Sequence, residues 1–175
     1  MGAFIPRSEI IKSTKFKMNI FTHTVENLRG NLVKLSDYKG SKAYLIVNVA
    51  RKWGKTKVNY KELQELHDKY GSELCIMAFP CNSFGGQEPG KNSDVEKWLL
   101  QQENVSFYVF GKLKCEDKDD THALYKELKE ATSTDTLGWN FAKFLCNSEG
   151  VPVKKYSSGV NPSAVDPDIA ELINN

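Results

Sequence analysis

Short apolar runs and helical stripes alternate along this chain. Ala43-Tyr-Leu-Ile-Val-Asn-Val49 is almost wholly apolar, as expected of a strand covered on both faces of a sheet. Tyr60, Leu63, Leu66 and Tyr70 then recur at spacings of three and four, with Lys, Glu and Asp between them. That period predicts a helix opening at Gly54-Lys55-Thr56 and stopping at Gly71. Leu74 to Phe79 reads as a second buried strand, broken by Pro80. Strand, helix and strand make a parallel βαβ unit with a right-handed crossover.

The flanking pattern fills in the rest. Asn19-Ile-Phe21 and Leu32-Val-Lys-Leu35 predict two short strands joined through the turn-rich Asn27 to Asn31. Pro80 to Gly90 is a long loop, and Ser93 with Glu96 forms a capping box for a helix to about Gln102. Val105 to Phe110 predicts a third strand. Thr121 to about Ala131 predicts a helix with Leu124, Tyr125 and Leu128 inward. Phe141 to Cys146 and Val151 to Tyr156 read as a hairpin, and Asp166-Pro167 opens a last helix carrying Ile169 and Ile173. The expected class is α/β, a sheet with helices on both faces. Residues 1 to about 15 are expected to be a loose leader, and 16–175 one domain.

Composition narrows the functions open to such a fold. Lys+Arg 24 against Asp+Glu 22 leaves a formal charge of +2, which makes no case for nucleic acid or a membrane surface. Apolar residues at 40% and charged residues at 26% are ordinary for a globular protein. No apolar run approaches the roughly 20 residues of a membrane span, and Met1 to Pro6 lacks a signal-peptide core, so a cytoplasmic location is expected. Cysteines 75, 81, 115 and 146 contain no Cys-x-x-Cys and match no zinc spacing.

Three separated motifs carry a resemblance. The first is Asn48-Val-Ala-Arg-Lys-Trp-Gly-Lys-Thr56, followed by Asn59-Tyr60. The second is Ala78-Phe-Pro-Cys-Asn-Ser-Phe-Gly-Gly-Gln-Glu-Pro-Gly90. The third is Trp139-Asn-Phe-Ala-Lys-Phe144 with Gly150-Val-Pro-Val-Lys-Lys-Tyr156. In order and at these spacings, over roughly residues 17 to 173, the chain resembles the glutathione peroxidase family. The resemblance implies a thioredoxin-like fold, a central mixed sheet with an N-terminal β-hairpin. It implies reduction of hydrogen peroxide and of lipid or organic hydroperoxides to water and alcohols, with glutathione as reductant and no metal or organic cofactor.

Carried over by position, the family's active site falls on Trp53, Gln87, Trp139 and Asn140. In the family, position 53 holds the peroxidatic selenocysteine or cysteine, at a strand-to-helix turn whose N–H groups favour an anion. The side-chain amides of Gln87 and Asn140 and the indole of Trp139 would be neutral donors converging on it. An indole at position 53 has no low-pKa proton and cannot cycle through an oxidised intermediate. The chain as written is therefore expected to be inactive. Trp53 is expected to stand for a selenocysteine, whose codon is otherwise read as stop. The alternative is a natural pseudo-enzyme, a binding or sensor protein on the same fold. A generic thioredoxin-like oxidoreductase is disfavoured by the lack of Cys-x-x-Cys.

Two further features point to the monomeric phospholipid-hydroperoxide, selenium-type branch. Leu100 falls about where thioredoxin-recycled members carry a resolving cysteine, and the link from Lys129 to Gly138 is too short for the subunit loop of tetrameric members. Arg51, Lys52 and Lys55 are candidates to attract the carboxylates of glutathione, with Lys143, Lys154 and Lys155 weaker. Cys81, Cys75 and Cys146 are expected to be packed thiols, and Cys115, among Lys114, Glu116 and Asp117, to be exposed. His67 reads as a surface residue and Trp98 as a core or helix-face anchor.

Overall fold

A computed structural model describes residues 18–175, so the expected leader lies outside the described residues. The elements are β1 (Thr24–Glu26), β2 (Leu32–Lys34), β3 (Ala43–Val49), α1 (Thr56–Tyr70), β4 (Leu74–Pro80), α2 (Asn92–Leu100), β5 (Tyr108–Val109), α3 (Ala123–Ala131), β6 (Lys143–Asn147), β7 (Pro152–Tyr156) and α4 (Asp166–Asn174). The main sheet has the order β5-β4-β3-β6-β7, while β1 and β2 form a separate antiparallel hairpin. Strands β5, β4 and β3 run parallel, and β6 and β7 are antiparallel to their neighbours. The sheet is mixed, as expected.

Every residue of β3 and β4 is buried, because side chains alternate between two cores. Tyr44 and Ile46 face one core with Leu124, Tyr125 and Leu128 of α3. Leu45 and Val47 face the other, with Leu63 and Leu66 of α1 and Ile169 and Ile173 of α4. Trp98 and Leu99 of α2 pack against that second core. Helices thus cover both faces.

Several boundaries move, each for a local reason. The run at Asn19 is a 3-10 turn at Ile20–Thr22, because the Asn19 side chain accepts the Phe21 N–H at 3.0 Å. The first strand of the hairpin falls instead on β1. The strand expected over 105–110 shrinks to β5, since the Ser106 N–H turns to the Gln64 side chain at 2.8 Å. The box at the start of α2 is made by Asp94, which accepts the Lys91 N–H at 2.7 Å, in place of Ser93 and Glu96. His122 caps α3, its Nδ1 accepting the Leu124 N–H at 3.1 Å. The Asp166 carboxylate makes no cap for α4. It accepts instead from Lys69 at 2.6 Å and from the Tyr70 hydroxyl, tying α4 to α1.

Candidate active site

Strand direction decides which loops meet. β3 and β4 are parallel and paired in register, Asn48 beside Phe79 and Val49 beside Pro80, so the loops after them leave from one edge of the sheet. β6 runs the other way, so the residues before it start at that same edge. The Cys81 N–H donates to the Val49 carbonyl at 2.9 Å, and the Phe141 N–H to the Asn48 carbonyl at 2.7 Å. Residues 50–56, 81–90 and 139–142 are thereby brought together.

The first segment is a turn closed by one hydroxyl. Thr56 Oγ1 accepts the Trp53 N–H at 3.1 Å and donates to the Ala50 carbonyl at 2.6 Å. The Trp53 N–H is therefore already occupied at the entrance to α1. The indole stacks on Phe141, with centroids 5.7 Å apart and planes at 20°. Lys55 Nζ lies 5.8 Å from the indole centroid. The half-buried ring borders a groove of about 840 Å³ that runs past Tyr60 to Trp98 and Val105.

The second segment presents Gln87. Gly85 and Gly86 take φ values of +66° and +60°, which glycine adopts without strain. A Cβ on Gly85 would stand 3.0 Å from Trp139 Cζ2, so the glycine also makes room for the indole. The Gln87 carbonyl accepts the Lys52 N–H at 3.0 Å. Asn140 Nδ2 donates to Gln87 Oε1 at 2.7 Å. One N–H of Asn140 therefore positions Gln87, where the sequence had both amides facing residue 53. Trp139 sits at the rim, 37% exposed, its ring 5.7 Å from that of Phe84.

The third segment is held from behind. Asn48 Nδ2 donates to the Trp139 carbonyl at 3.1 Å, and Ser158 Oγ to the Asn140 carbonyl at 2.5 Å. Phe141 has a φ of +63°, an uncommon conformation for a non-glycine residue, kept by the bond to Asn48. Lys143 Nζ donates to the carbonyls of Phe141 and Val160, both at 2.5 Å. Asn140 Oδ1, Asn48 Oδ1 and Glu88 Oε2 are buried without a hydrogen-bond partner.

The cationic candidates separate on burial. Lys52 and Lys55 are exposed beside the turn. Arg51 is taken inward, its guanidinium 2.6 Å from Glu88 Oε1 and 2.6 Å from the Pro89 carbonyl. Glu88 is fully buried; desolvation raises its carboxyl above the ordinary range, opposed by Arg51. Lys143 is also fully buried, which removes it as an anchor for glutathione. Lys154 pairs with Asp168 at 3.0 Å, and Lys155 donates to the Thr136 carbonyl at 3.3 Å.

All four cysteines are buried. Cys115 is not exposed as its charged neighbours implied: it enters the core with Phe110 and Tyr125, while Glu116 and Asp117 are half-buried and accept hydrogen bonds from Lys129 and Ser83. His67 is half-buried, and Trp98 anchors α2 by an edge contact to Tyr60 at 5.1 Å. Glu88, Thr56, Asn48 and Ser158 escaped the sequence reading. Glu88, Asn48 and Thr56 lie inside the quoted motifs and were open to notice. Ser158 lies in a polar loop that carries no such signal.

Three loops converging on a helix entrance at one end of a mixed sheet define a thioredoxin-like protein. Residues 20–129 match the family model described as glutathione peroxidase. The chain is 42% identical over 158 residues to a glutathione peroxidase of Schistosoma mansoni, covering 89% of this chain and 93% of that one. It is 39% identical to a probable phospholipid hydroperoxide glutathione peroxidase of Citrus sinensis, covering 92% and 98%. The crystal structure of Trgpx in apo form aligns at a TM-score of 0.71 with 32% identity, over 90% of this chain and 97% of that one. A thiol:disulfide interchange protein of Chlorobium tepidum, 10% identical with a TM-score of 0.65 over 92% and 99%, shares the fold alone. This chain belongs to the glutathione peroxidase family, whose activity is reduction of peroxides with glutathione.

Proposed function

We propose that the chain carries a hydroperoxide-reducing site disabled at its nucleophile. Trp53 stands where a selenocysteine or cysteine would attack the O–O bond, and Gln87, Asn140 and Trp139 would serve the chalcogen anion and the peroxide oxygen. The observation that carries this reading is the Asn140–Gln87 bond of 2.7 Å. Two neutral amides are joined beside a turn that holds no other nucleophile, a constellation with no evident use around an indole. Lipid and organic hydroperoxides and hydrogen peroxide are the substrates, and glutathione is the reducing co-substrate, steered by Lys52 and Lys55. No metal or organic cofactor enters the reaction.

The phospholipid-hydroperoxide branch is favoured by the named relatives and by the short link between α3 and β6, which also favours a monomer. Leu100 stands 82% exposed on α2 with no cysteine there to resolve an oxidised intermediate, which supports a selenoprotein reduced by glutathione. No helix among the described residues is long and apolar enough to cross a membrane, and a cytoplasmic location fits that.

The test is Trp53→Cys assayed beside the parent with a phospholipid hydroperoxide and glutathione. Turnover is expected in the variant and not in the parent; equal rates would overturn the role of position 53. A second reading, a non-catalytic binding or sensor protein, draws on the Trp53–Phe141 stack, which seats the indole without breaking the Gln87–Asn140 pair. A stop-type codon at position 53, with a selenocysteine insertion element downstream, would decide for the enzyme.

A further inference from the structure

The residue-53 turn and the Gln87 loop are joined by a side chain as well as by main chain. Arg51 spans the gap with two nitrogens of its guanidinium. Nη1 donates to Glu88 Oε1 and Nη2 to the Pro89 carbonyl, each at 2.6 Å. Lys52 then gives its N–H to the Gln87 carbonyl at 3.0 Å. Residues 51 and 52 thus hold residues 87 to 89. From within the loop, the Glu88 N–H donates to Asn82 Oδ1 at 3.0 Å. The residues before Gln87 are Gly85 and Gly86, which lend the loop no stiffness of their own.

The ion pair is poorly suited to adding stability. Glu88 is fully buried and the Arg51 side chain is 10% exposed. Burial raises the Glu88 carboxyl to about 7, even with the guanidinium beside it. Its Oε2 has no partner among the described residues. A buried ion pair is a weak stabiliser, because desolvation offsets the attraction, but its hydrogen bonds fix direction closely.

We propose that Arg51 and Glu88 are positioning residues for hydroperoxide reduction, a clamp that holds Gln87 at the residue-53 turn. The inference rests on the peroxidase reading and adds to it two residues that touch no substrate. Asn140 fixes the far end of the Gln87 side chain at 2.7 Å, and the clamp fixes the main chain from which that side chain hangs. Both are needed, since a donor misplaced by about 1 Å forfeits roughly 10²-fold in rate. Arginine is specified because two acceptors on adjacent residues need its fork; a lysine ammonium is a single point of charge.

Two measurements test the clamp. The first follows amide hydrogen exchange by NMR in the parent chain, where no turnover is required. Arg51→Lys is expected to speed exchange of the Lys52 N–H at least about tenfold, with the β3 and β4 amides unchanged. Glu88→Ala should do the same, and Glu88→Gln, which keeps an acceptor for Nη1, should return exchange to within about threefold of the parent. The second uses the Trp53→Cys background. There Arg51→Lys should lower kcat/KM for a lipid hydroperoxide at least about tenfold, but less than about twofold once Gln87 is already alanine. Unchanged exchange at Lys52, or an equal rate loss with and without Gln87, overturns the proposal. The Glu88 variants decide if Arg51→Lys does not fold. A silent Trp53→Cys with the Lys52 amide still released by Arg51→Lys would sink the peroxidase reading and leave the clamp standing, so the two failures are distinguishable.

Discussion

Asn140 donates its side-chain N–H to the Gln87 side-chain carbonyl at 2.7 Å, joining two loops that lie 53 residues apart in sequence. The Lys52 N–H holds the Gln87 backbone carbonyl at 3.0 Å, so Gln87 is fixed at both main chain and side chain. With Oε1 engaged, its Nε2 is the end left to serve a reacting atom at the residue-53 turn. Preorganisation of a donor is what lowers the cost of stabilising developing charge.

Gln87 and Asn140 should therefore act as one unit. In the Trp53→Cys background, Gln87→Ala and Asn140→Ala are each expected to lower kcat/KM by roughly 10²-fold. The double variant should be little worse than either single one. Steady-state rates with glutathione and a lipid hydroperoxide check this; additive losses would show that the two amides work independently.

Gly85 combines two demands, a φ of +66° and the close approach of Trp139 Cζ2. Gly85→Ala should cost about 1–2 kcal/mol and lower Tm by roughly 2–6 °C. It should also displace Trp139 from Phe84, which near-ultraviolet circular dichroism would register. An unchanged Tm would mean that the loop relaxes freely around the new methyl group.

Lys143 gives a pH signature. Burial draws its ammonium down to about 8, against an unfolded value near 10.4. Between those values the unfolded chain holds a proton that the folded chain has released, so this contribution to stability rises with pH. Below pH 8 the penalty is whole; above it the neutral amine still has two N–H groups for Phe141 and Val160. Relative to Lys143→Met, the parent should gain up to roughly 3 kcal/mol on going from pH 8 to above 10. Urea midpoints across that range decide; parallel curves would exclude Lys143 as the source.

Much of the fold was legible because its signals are local. The apolar run from Ala43 to Val49 and the stripe from Tyr60 to Tyr70 fall on β3 and α1 as read. Asn19 and the 105–110 run misled, since a single side-chain bond, Asn19 to Phe21 or Gln64 to Ser106, outcompeted strand pairing. Such competition depends on a partner's position, and periodicity does not record it. Arg51 shows the same at the site. Its charge suggested a ligand anchor, and burial against Glu88 turned it into a strut.

The chain by itself determined the order of elements, the two apolar faces of the sheet and the motifs that mark residues 53, 87, 139 and 140. Each of these rests on neighbours within a few positions. Only the tertiary structure decided that Asn140 holds Gln87 and that the Trp53 ring lies on Phe141. Those pairs are set by strand direction and core packing, which bring distant segments to one edge of the sheet, and no local pattern encodes that meeting.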